Sequence, residues 1–209
     1  MHVILHDLVK RYGDKCVLNN VNLDFSPGVR YAIVGSSGIG KTTLLRLIAG
    51  LEKPDSGSVE VPAGAVTSYA FQEPRLFPML TATENIEAIT PERDSREILS
   101  SLNLLREANS YPSSLSGGMK KRAGLARALA KQADIYLIDE PTGGQDAHHC
   151  AMVCEAILAY TKDSVCIVST HDAELVSAVA DVMIVLGSHG ADIHDVSDKT
   201  TDEIRALMK

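Results

Sequence analysis

The sequence predicts an α/β fold with a largely parallel sheet. Short apolar runs of the kind found in buried strands alternate along the chain with longer segments of helical periodicity. One of these runs ends at a glycine-rich segment that opens a helical pattern, which is the strand–loop–helix context of an α/β protein. Strands that are separated by helices pair in parallel, and this pairing defines the fold class.

Composition indicates one large domain with a hydrophobic core. The chain has 209 residues, of which 45% are apolar and 22% charged, values ordinary for a globular protein. The net charge of −7 argues against direct nucleic-acid binding, because neutralising phosphates requires a basic face. No uncharged stretch is long enough to span a bilayer, and the N-terminus lacks a signal-peptide pattern. We therefore expect a cytoplasmic protein that reaches a membrane only through a partner.

The cysteines predict reduced thiols. No paired CxxC motif links the four of them, which are Cys16, Cys150, Cys154 and Cys166. A metal site that uses His148, His149, Cys150 and Cys154 is one alternative, but the ligand spacing is missing. The favoured interpretation is a helix start with small, half-buried thiols.

The first part of the chain predicts an antiparallel unit and then the parallel core. Residues 3–25 alternate apolar and polar side chains around Gly13, as in two strands joined by a turn. Residues 31–34 predict a buried strand that ends at Gly35. The next patterns predict a helix over 43–49 capped by Gly50, then strands over 59–61 and 66–71.

The composition changes after Gln72. Residues 73–112 contain four of the prolines, and helical patterns cover 82–89 and 95–105. We interpret 73–112 as a short helical subdomain within a single domain of residues 1–209, whose core comprises 1–72 and 113–209. Downstream, the patterns predict helices over 116–131 and after Asp146, strands over 135–138, 165–168 and 182–186, and an amphipathic segment over 201–208.

The glycine-rich segment is a complete phosphate-binding loop, called the phosphate loop below. It consists of Gly35, Ser36, Ser37, Gly38, Ile39, Gly40, Lys41 and Thr42. Its glycines let backbone amides point at phosphates, and the helix N-terminus adds a partial positive charge. We expect Lys41 to reach the β- and γ-phosphates of a nucleotide, Thr42 to offer its hydroxyl to Mg²⁺, and Thr43 to assist.

Two acidic residues end the strand that starts at Ile135. Side chains at the carboxyl edge of an open α/β sheet face the usual ligand crevice, so Asp139 and Glu140 are expected beside the phosphate loop. Asp139 would hold Mg²⁺, directly or through water, and Glu140 would polarise an attacking water as general base. A solvated pair of carboxylates is the alternative, which the phosphate loop makes much weaker.

Together these motifs resemble the nucleotide-binding subunit of an ATP-binding cassette (ABC) transporter over essentially the whole chain. The matching positions are the phosphate loop, Gln72, residues 115–118, residues 138–142, Asp146 and His171. The resemblance implies a P-loop NTPase (RecA-like) core with a largely parallel sheet, an antiparallel N-terminal β part and a small helical insert. It also implies ATP and Mg²⁺ as cofactors.

The resemblance further implies a dimer of identical or paired ATPase subunits, arranged head to tail. Each ATP would lie between the phosphate loop of one subunit and the segment Ser116, Gly117 and Gly118 of the other, called the signature segment below. ATP would favour the closed dimer because it contacts both halves only in that state. Hydrolysis would remove that advantage.

Four further positions take their roles from the resemblance. Gln72 would sense Mg²⁺ and water, and His171 would contact the γ-phosphate. Asp146 would belong to a loop that communicates across the dimer. Tyr12 would stack on adenine, with an ordinary strand tyrosine as the alternative, because one aromatic residue near a turn is a thin signal.

Residues 71–81 and 84–86 resemble the ATPases of importers for nitrate, sulfonate, taurine and related small solutes. The implied partners are integral membrane permease subunits, at the cytoplasmic face of the cell membrane. Apolar Leu76, Phe77 and Leu80 are candidates for a groove that receives a permease helix, and simple packing of the insert is the alternative.

Two departures from the family pattern keep other functions open. Met119 stands where glutamine is usual, and a thioether cannot make that amide's hydrogen bonds. Residues 143–145, Gly-Gly-Gln, replace the usual Ser-Ala-Leu and predict a more pliable loop. The basic residues 120–122 are interpreted as a solvated face. The alternatives to an importer ATPase are an exporter-type ABC subunit and an ATP-dependent dimerisation switch with little turnover.

Overall fold

The computed structural model describes residues 2–187 and 190–208 of the chain. The strands in these ranges are β1 (Val3–Tyr12), β2 (Lys15–Phe25), β3 (Arg30–Val34), β4 (Ser56–Glu60), β5 (Thr67–Ala70), β6 (Ile135–Asp139), β7 (Val165–Ser169), β8 (Val182–Gly187) and β9 (Gly190–Asp195). The α-helices are α1 (Lys41–Ile48), α2 (Ala82–Glu87), α3 (Ser95–Ser101), α4 (Gly117–Ala130), α5 (Ala147–Tyr160), α6 (Ala173–Val179) and α7 (Thr201–Leu207). Two short 3₁₀ helices cover Leu105–Glu107 and Pro112–Ser114.

The N-terminal part is a three-stranded antiparallel sheet with the order β2-β1-β4. The predicted strand pair around Gly13 is confirmed, because β1 and β2 pair in antiparallel register on either side of that turn. The prediction for 59–61 covers only the end of β4. That strand already begins at Ser56 and pairs with β1.

The larger sheet has six strands in the order β5-β6-β7-β3-β8-β9. Its first five strands pair in parallel, and β9 adds an antiparallel edge. The predicted α/β class with a largely parallel sheet is therefore confirmed. The sequence patterns missed β9 and α6, and they extended α3 four residues beyond its observed end.

Helices cover both faces of this sheet, which is why its central strands are apolar throughout. All five residues of β6 are buried. Leu137 packs into a cluster shared with α1 and the antiparallel sheet, whereas its neighbours Tyr136 and Ile138 pack into a cluster shared with α4 and α5. Because successive strand residues point to opposite faces, β6 connects the two cores and holds its own carboxyl end rigidly.

The segment between β5 and α4 holds α2 and α3, which both contact α4. The buried side chain of Asn85 organises its first turn. Its Nδ2 donates to the carbonyls of Phe77, Leu80 and Thr81, and its Oδ1 accepts from the amide of Phe77 at 2.8 Å. The boundary of the helical subdomain at 73–112 stays a prediction.

Candidate nucleotide site

The carboxyl ends of three neighbouring parallel strands meet at one cavity. The phosphate loop follows β3, Glu140 follows β6, and His171 lies two residues after β7. The sheet register aligns Asp139 with Ser169 on the adjacent strand. A cavity of about 570 Å³ opens in front of these strand ends, where an open α/β sheet places its ligands. Its walls include Tyr12, Ser37, Gly38, Gly40, Lys41, Thr42, Thr43, Gln72, Glu140 and His171.

The phosphate loop needs glycine at two positions. Gly40 is the N-cap of α1 with a φ of +121°, and a Cβ there would lie 2.8 Å from the Val17 carbonyl oxygen. Gly35 has a φ of +145°, and its Cβ would lie 2.8 Å from the Leu186 carbonyl oxygen. No side chain of the described residues caps α1. The amides of its first turn are therefore directed at the cavity without a side-chain acceptor.

Lys41 lies inside the loop that it follows. Its Nζ donates to the Gly35 carbonyl at 2.8 Å and to the Ser36 carbonyl at 3.4 Å, and it lies 3.9 Å from Oε1 of Glu140. The residue is only 9% exposed. The ammonium group of Lys41 is therefore held between loop carbonyls and a carboxylate. From this position its positive charge can compensate negative charge that enters the cavity.

A cluster of oxygen atoms lies at the base of the cavity. Asp139 is buried, and its Oδ1 accepts from Thr42 Oγ1 at 3.2 Å and from Ser169 Oγ. Nearby, the hydroxyl of Tyr69 is buried without a hydrogen-bond partner among the described residues. Burial, and then the charge of Asp139, raises the pKa of Tyr69. Hydroxyl and carboxylate oxygens are the donors that Mg²⁺ prefers.

Glu140 has the most informative backbone in the site. Its φ is +49°, in the left-handed region that non-glycine residues rarely adopt. Two hydrogen bonds hold it there, because its amide donates to the carbonyl of Ser169 at 3.0 Å and to Ser169 Oγ at 3.2 Å. Strain of this kind, worth about 1–3 kcal/mol, concentrates at functional sites.

The strained backbone directs the Glu140 carboxylate at His171. Oε2 of Glu140 lies 2.8 Å from Nδ1 of His171. The glutamate side chain is 13% exposed and the histidine side chain 71% exposed. The pair therefore combines a sheltered carboxylate with an imidazole that extends toward solvent.

Tyr12 lies at the mouth of the cavity. It is the last residue of β1, it is half exposed, and its hydroxyl donates to Glu52. The Nζ of Lys10 lies 5.5 Å from its ring centroid. Burial, followed by the hydrogen bond with Glu52, raises the pKa of this phenol. Fixing the hydroxyl in this way restrains the ring and leaves one aromatic face open.

The signature segment and Asp146 line a different cavity, of about 370 Å³. Ser116 is the N-cap of α4, and its Oγ accepts from the Met119 amide at 3.2 Å. Asp146 is the N-cap of α5, and its Oδ1 accepts from the His149 amide at 3.0 Å. The hydrogen bond from the His149 amide is the main cause of the lowered pKa of Asp146. The predicted site residues are thus spread over more than one cavity, because Gly35, Ser36 and Ile39 of the phosphate loop line a third, which His171 also lines.

Sequence reasoning missed three residues of the first cavity, Val17, Lys121 and Gly143. The interpretation of 120–122 as a solvated face is wrong for two of its three members. Lys121 Nζ donates to the Gly143 carbonyl at 2.7 Å, and Arg122 is only 5% exposed. Gly117 and Lys121 have the i, i+4 spacing of one helix face, which is the signal that links Lys121 to the signature segment.

Two expectations from the sequence concern other kinds of site. In residues 2–187 and 190–208 no group of three or more His, Cys, Asp or Glu side chains is arranged to hold a metal ion. All four cysteines are free, and burial raises the pKa of Cys154 to about 11 and that of Cys166 to about 12. Among the described helices, none combines the length and apolar character needed to cross a bilayer.

The fold and the first cavity define a phosphate-loop nucleotide-binding protein. Comparison with known proteins identifies the family to which it belongs. Residues 18–143 match the ABC transporter family. The aliphatic sulfonates import ATP-binding protein SsuB 1 of Mesorhizobium japonicum is 39% identical over 194 residues, which cover 86% of this chain and 73% of that protein. The sulfate/thiosulfate import ATP-binding protein CysA of Synechocystis is 38% identical, over 90% of this chain and 59% of that one.

Solved structures give the same result. The dimeric structure of MJ0796, described as a bacterial ABC transporter cassette, superposes with a TM-score of 0.83 and 29% identity, over 93% of this chain and 98% of that one. A post-hydrolysis dimer of the same cassette, bound to ADP and Pi, gives a TM-score of 0.81.

The chain belongs to the ABC transporter family, as one of its ATP-binding subunits, which are ATPases. The resemblance stated from the motifs is confirmed. The relatives named above are import proteins, so the exporter-type subunit and the low-turnover switch are not favoured.

Proposed function

We propose that this chain is the ATPase of an importer for a small oxyanion solute, and that two copies close around ATP to drive transport. The observation that carries the proposal is the pairing of a strained, sheltered Glu140 with His171 across the cavity from the phosphate loop. A second observation supports the dimer: the signature segment lies in another cavity of the same chain. A site with these two halves needs a second subunit to complete it.

ATP binding follows from the charges and amides of the first cavity. The triphosphate would lie along the phosphate loop, where the uncapped amides of α1 and the Nζ of Lys41 stabilise negative charge. The γ-phosphate would replace the loop carbonyls as the partner of Lys41. Adenine would stack on the open face of Tyr12 at the mouth of the cavity.

The residues present also fit Mg²⁺. Thr42 and Asp139 would hold the ion, with Gln72 as a further oxygen ligand at the cavity wall. When bound, the ion would neutralise charge that develops on the β- and γ-phosphate oxygens. Ser169 would keep the carboxylate of Asp139 oriented through its hydrogen bond.

Hydrolysis would use Glu140 as general base. A water oxygen would bond to the γ-phosphorus as the bond from that phosphorus to the β–γ bridging oxygen breaks, leaving ADP and inorganic phosphate. Glu140 would accept the proton of the water, and His171 would orient the carboxylate and contact the γ-phosphate. Lys41, whose Nζ lies 3.9 Å from Oε1 of Glu140, would stabilise the negative charge on the phosphoryl group that is transferred to water.

The import role rests on the chain's relatives and on one exposed surface. Proteins that are 38–39% identical are named for import of aliphatic sulfonates and of sulfate or thiosulfate, so we propose a small sulfur oxyanion as the solute. The permease would dock beside Gln72 on Phe77 and Met79, both of them exposed apolar residues, Met79 to 81%. The subunit would then lie at the cytoplasmic face of the membrane, held by its permease partners.

The proposal is tested by comparing the wild type with Glu140→Gln. This substitution keeps the size of the side chain and removes the base, so we expect phosphate release to fall by about 10²–10³-fold. ATP should then accumulate in the closed state, and light scattering should show dimers of the variant with ATP and monomers without it. Glu60→Gln, on exposed β4 far from the cavity, is the matched control and should behave as the wild type. Equal rates for Glu140→Gln and the wild type would remove the base from its proposed role.

A further inference from the structure

We infer that Lys121 is a positioning residue for hydrolysis that links the signature helix to the loop after Glu140 within one chain. The inference rests on the proposed function, because it concerns the same ATP site. Lys121 lies on α4, one helical turn after Gly117 of the signature segment. It nevertheless forms part of the wall of the first cavity, together with Glu140 and Gly143.

The first contact is a charge-assisted hydrogen bond. Nζ of Lys121 donates to the carbonyl of Gly143 at 2.7 Å, and Gly143 is three residues after Glu140. A Cβ at residue 143 would lie 3.1 Å from this Nζ and 3.8 Å from the Glu140 carbonyl oxygen. The approach of the lysine therefore uses the space that the missing side chain of Gly143 leaves. Bonds of this type contribute roughly twice as much as neutral ones.

A second contact joins the same two elements one residue further along the helix. The buried Arg122 donates from Nη1 to Oε1 of Gln145 at 3.0 Å and from Nε to the carbonyl of Leu102 at 3.0 Å. Gln145 in turn donates from Nε2 to the carbonyl of Pro141 at 2.8 Å. The loop 141–145 is thus held at its middle and at its last residue by consecutive residues of α4.

These contacts explain how a loop with two adjacent glycines keeps a defined shape. Gly143 and Gly144 give the backbone a wide choice of conformations, and Gly144 adopts a φ of +77°. Glu140 immediately precedes this loop, so its left-handed backbone is anchored by Ser169 on one side and continues into the loop on the other. Lys121 restricts the loop at Gly143 and so restricts the position of the Glu140 carboxylate.

The consequence is a connection between the two ATP sites of a dimer. The start of α4 would contact the γ-phosphate bound by the partner, and the loop held by α4 carries the base of its own site. A shift of α4 that accompanies closure would therefore be transmitted through Lys121 to Glu140. Lys120, the preceding residue, has no side-chain hydrogen bond or ion pair among the described residues, so it provides an internal control.

The test compares Lys121→Met, Lys121→Arg and Lys120→Met with the wild type. Losing one charge-assisted hydrogen bond near the base should lower kcat by roughly tenfold with KM within about twofold, and should reduce the Hill coefficient for ATP toward one. Lys121→Arg can donate to the same carbonyl and should recover most of the rate. Lys120→Met should match the wild type, and all variants should keep the wild-type melting temperature.

A second measurement is independent of ATPase activity. Amide hydrogen exchange of peptides that cover residues 141–146 should be faster in Lys121→Met than in the wild type or in Lys120→Met. Unchanged exchange would overturn the inference whatever the activity of the wild type. Faster exchange with unchanged kcat and Hill coefficient would also overturn it. A wild type without any ATP hydrolysis would count against the proposed function, and the exchange result would still decide whether Lys121 holds the loop.

Discussion

The two cavities of this chain differ in how their polar groups are used. In the first cavity, Lys41 from the loop after β3 converges with Asp139 and Glu140 from the end of β6, and the three contact one another or their immediate neighbours. In the second, the side chains of Ser116 and Asp146 are already engaged as helix caps. The second cavity therefore offers the backbone amides at the start of α4, beside a wall that also includes Arg106, Glu107 and Arg122.

This difference indicates which tasks one chain performs alone. The first half of the site, at the first cavity, carries the general base and the charged groups that bind phosphate. A single subunit can therefore bind the nucleotide by itself. The second half offers an anion-binding helix start with no acidic side chain in its first turn, which is suited to complete a site formed by another copy. The predictions below test this division, beginning with the largest effect.

The largest effect is expected when each half is disabled separately. Lys41→Met removes the phosphate-binding cation and should lower kcat/KM by about 10³-fold. Gly117→Asp should lower hydrolysis by about 10²-fold while leaving ATP binding to the monomer within twofold, because its carboxylate repels a phosphate that approaches from the partner. A Cβ at Gly117 meets no described atom within 4 Å, and an acidic residue in the first turn favours the helix, so this variant should fold normally.

Mixing the two variants distinguishes an ATP site formed between two subunits from a site formed within one subunit. In a mixed dimer, the intact phosphate loop of the Gly117→Asp chain faces the intact signature segment of the Lys41→Met chain. An equimolar mixture should therefore recover up to about a quarter of the wild-type rate, since half the dimers have one good site of two. Phosphate release is the measurement. A mixture no faster than either variant alone would contradict the division into halves.

The same contrast explains what the sequence could predict. The phosphate loop and the pair Asp139 and Glu140 are local patterns next to apolar strands, so both could be located before the structure was known. The edge strand β9 was missed because half of its residues are exposed, Ile193 among them, so that it lacks an apolar run. Lys121 was wrongly predicted to be solvated. Its partner is a backbone carbonyl 22 residues downstream, and every residue type has a backbone carbonyl, so the sequence does not indicate such a contact.

A smaller effect is expected at the mouth of the first cavity. Tyr12→Ala removes the aromatic face and should weaken ATP binding by roughly tenfold, the value of one base–aromatic stack. Tyr12→Phe keeps the ring and loses only the hydrogen bond to Glu52, so it should bind ATP nearly as well as the wild type. Titration of monomeric chains with a fluorescent ATP analogue measures both. Equal weakening in the two variants would assign the effect to the hydroxyl and not to stacking.

The smallest effect concerns stability and belongs to the second cavity. Asp146 caps α5, and chiefly the amide of His149 lowers its pKa below the ordinary value of 3.8. A lowered pKa means that the charge of Asp146 stabilises the fold above that value, and that this contribution is lost as the pH falls through the folded-state pKa.

Asp146→Asn keeps an N-cap without the charge, whereas Asp146→Ala loses the cap at every pH. In urea unfolding, the wild type should exceed Asp146→Asn slightly at neutral pH and converge with it once the pH falls below the folded-state pKa of Asp146, with Asp146→Ala the least stable throughout. A gap between the wild type and Asp146→Asn that widened with acid would assign the charge of Asp146 to the imidazole of His149, whose Nδ1 lies 2.9 Å from both carboxylate oxygens, and not to the helix cap.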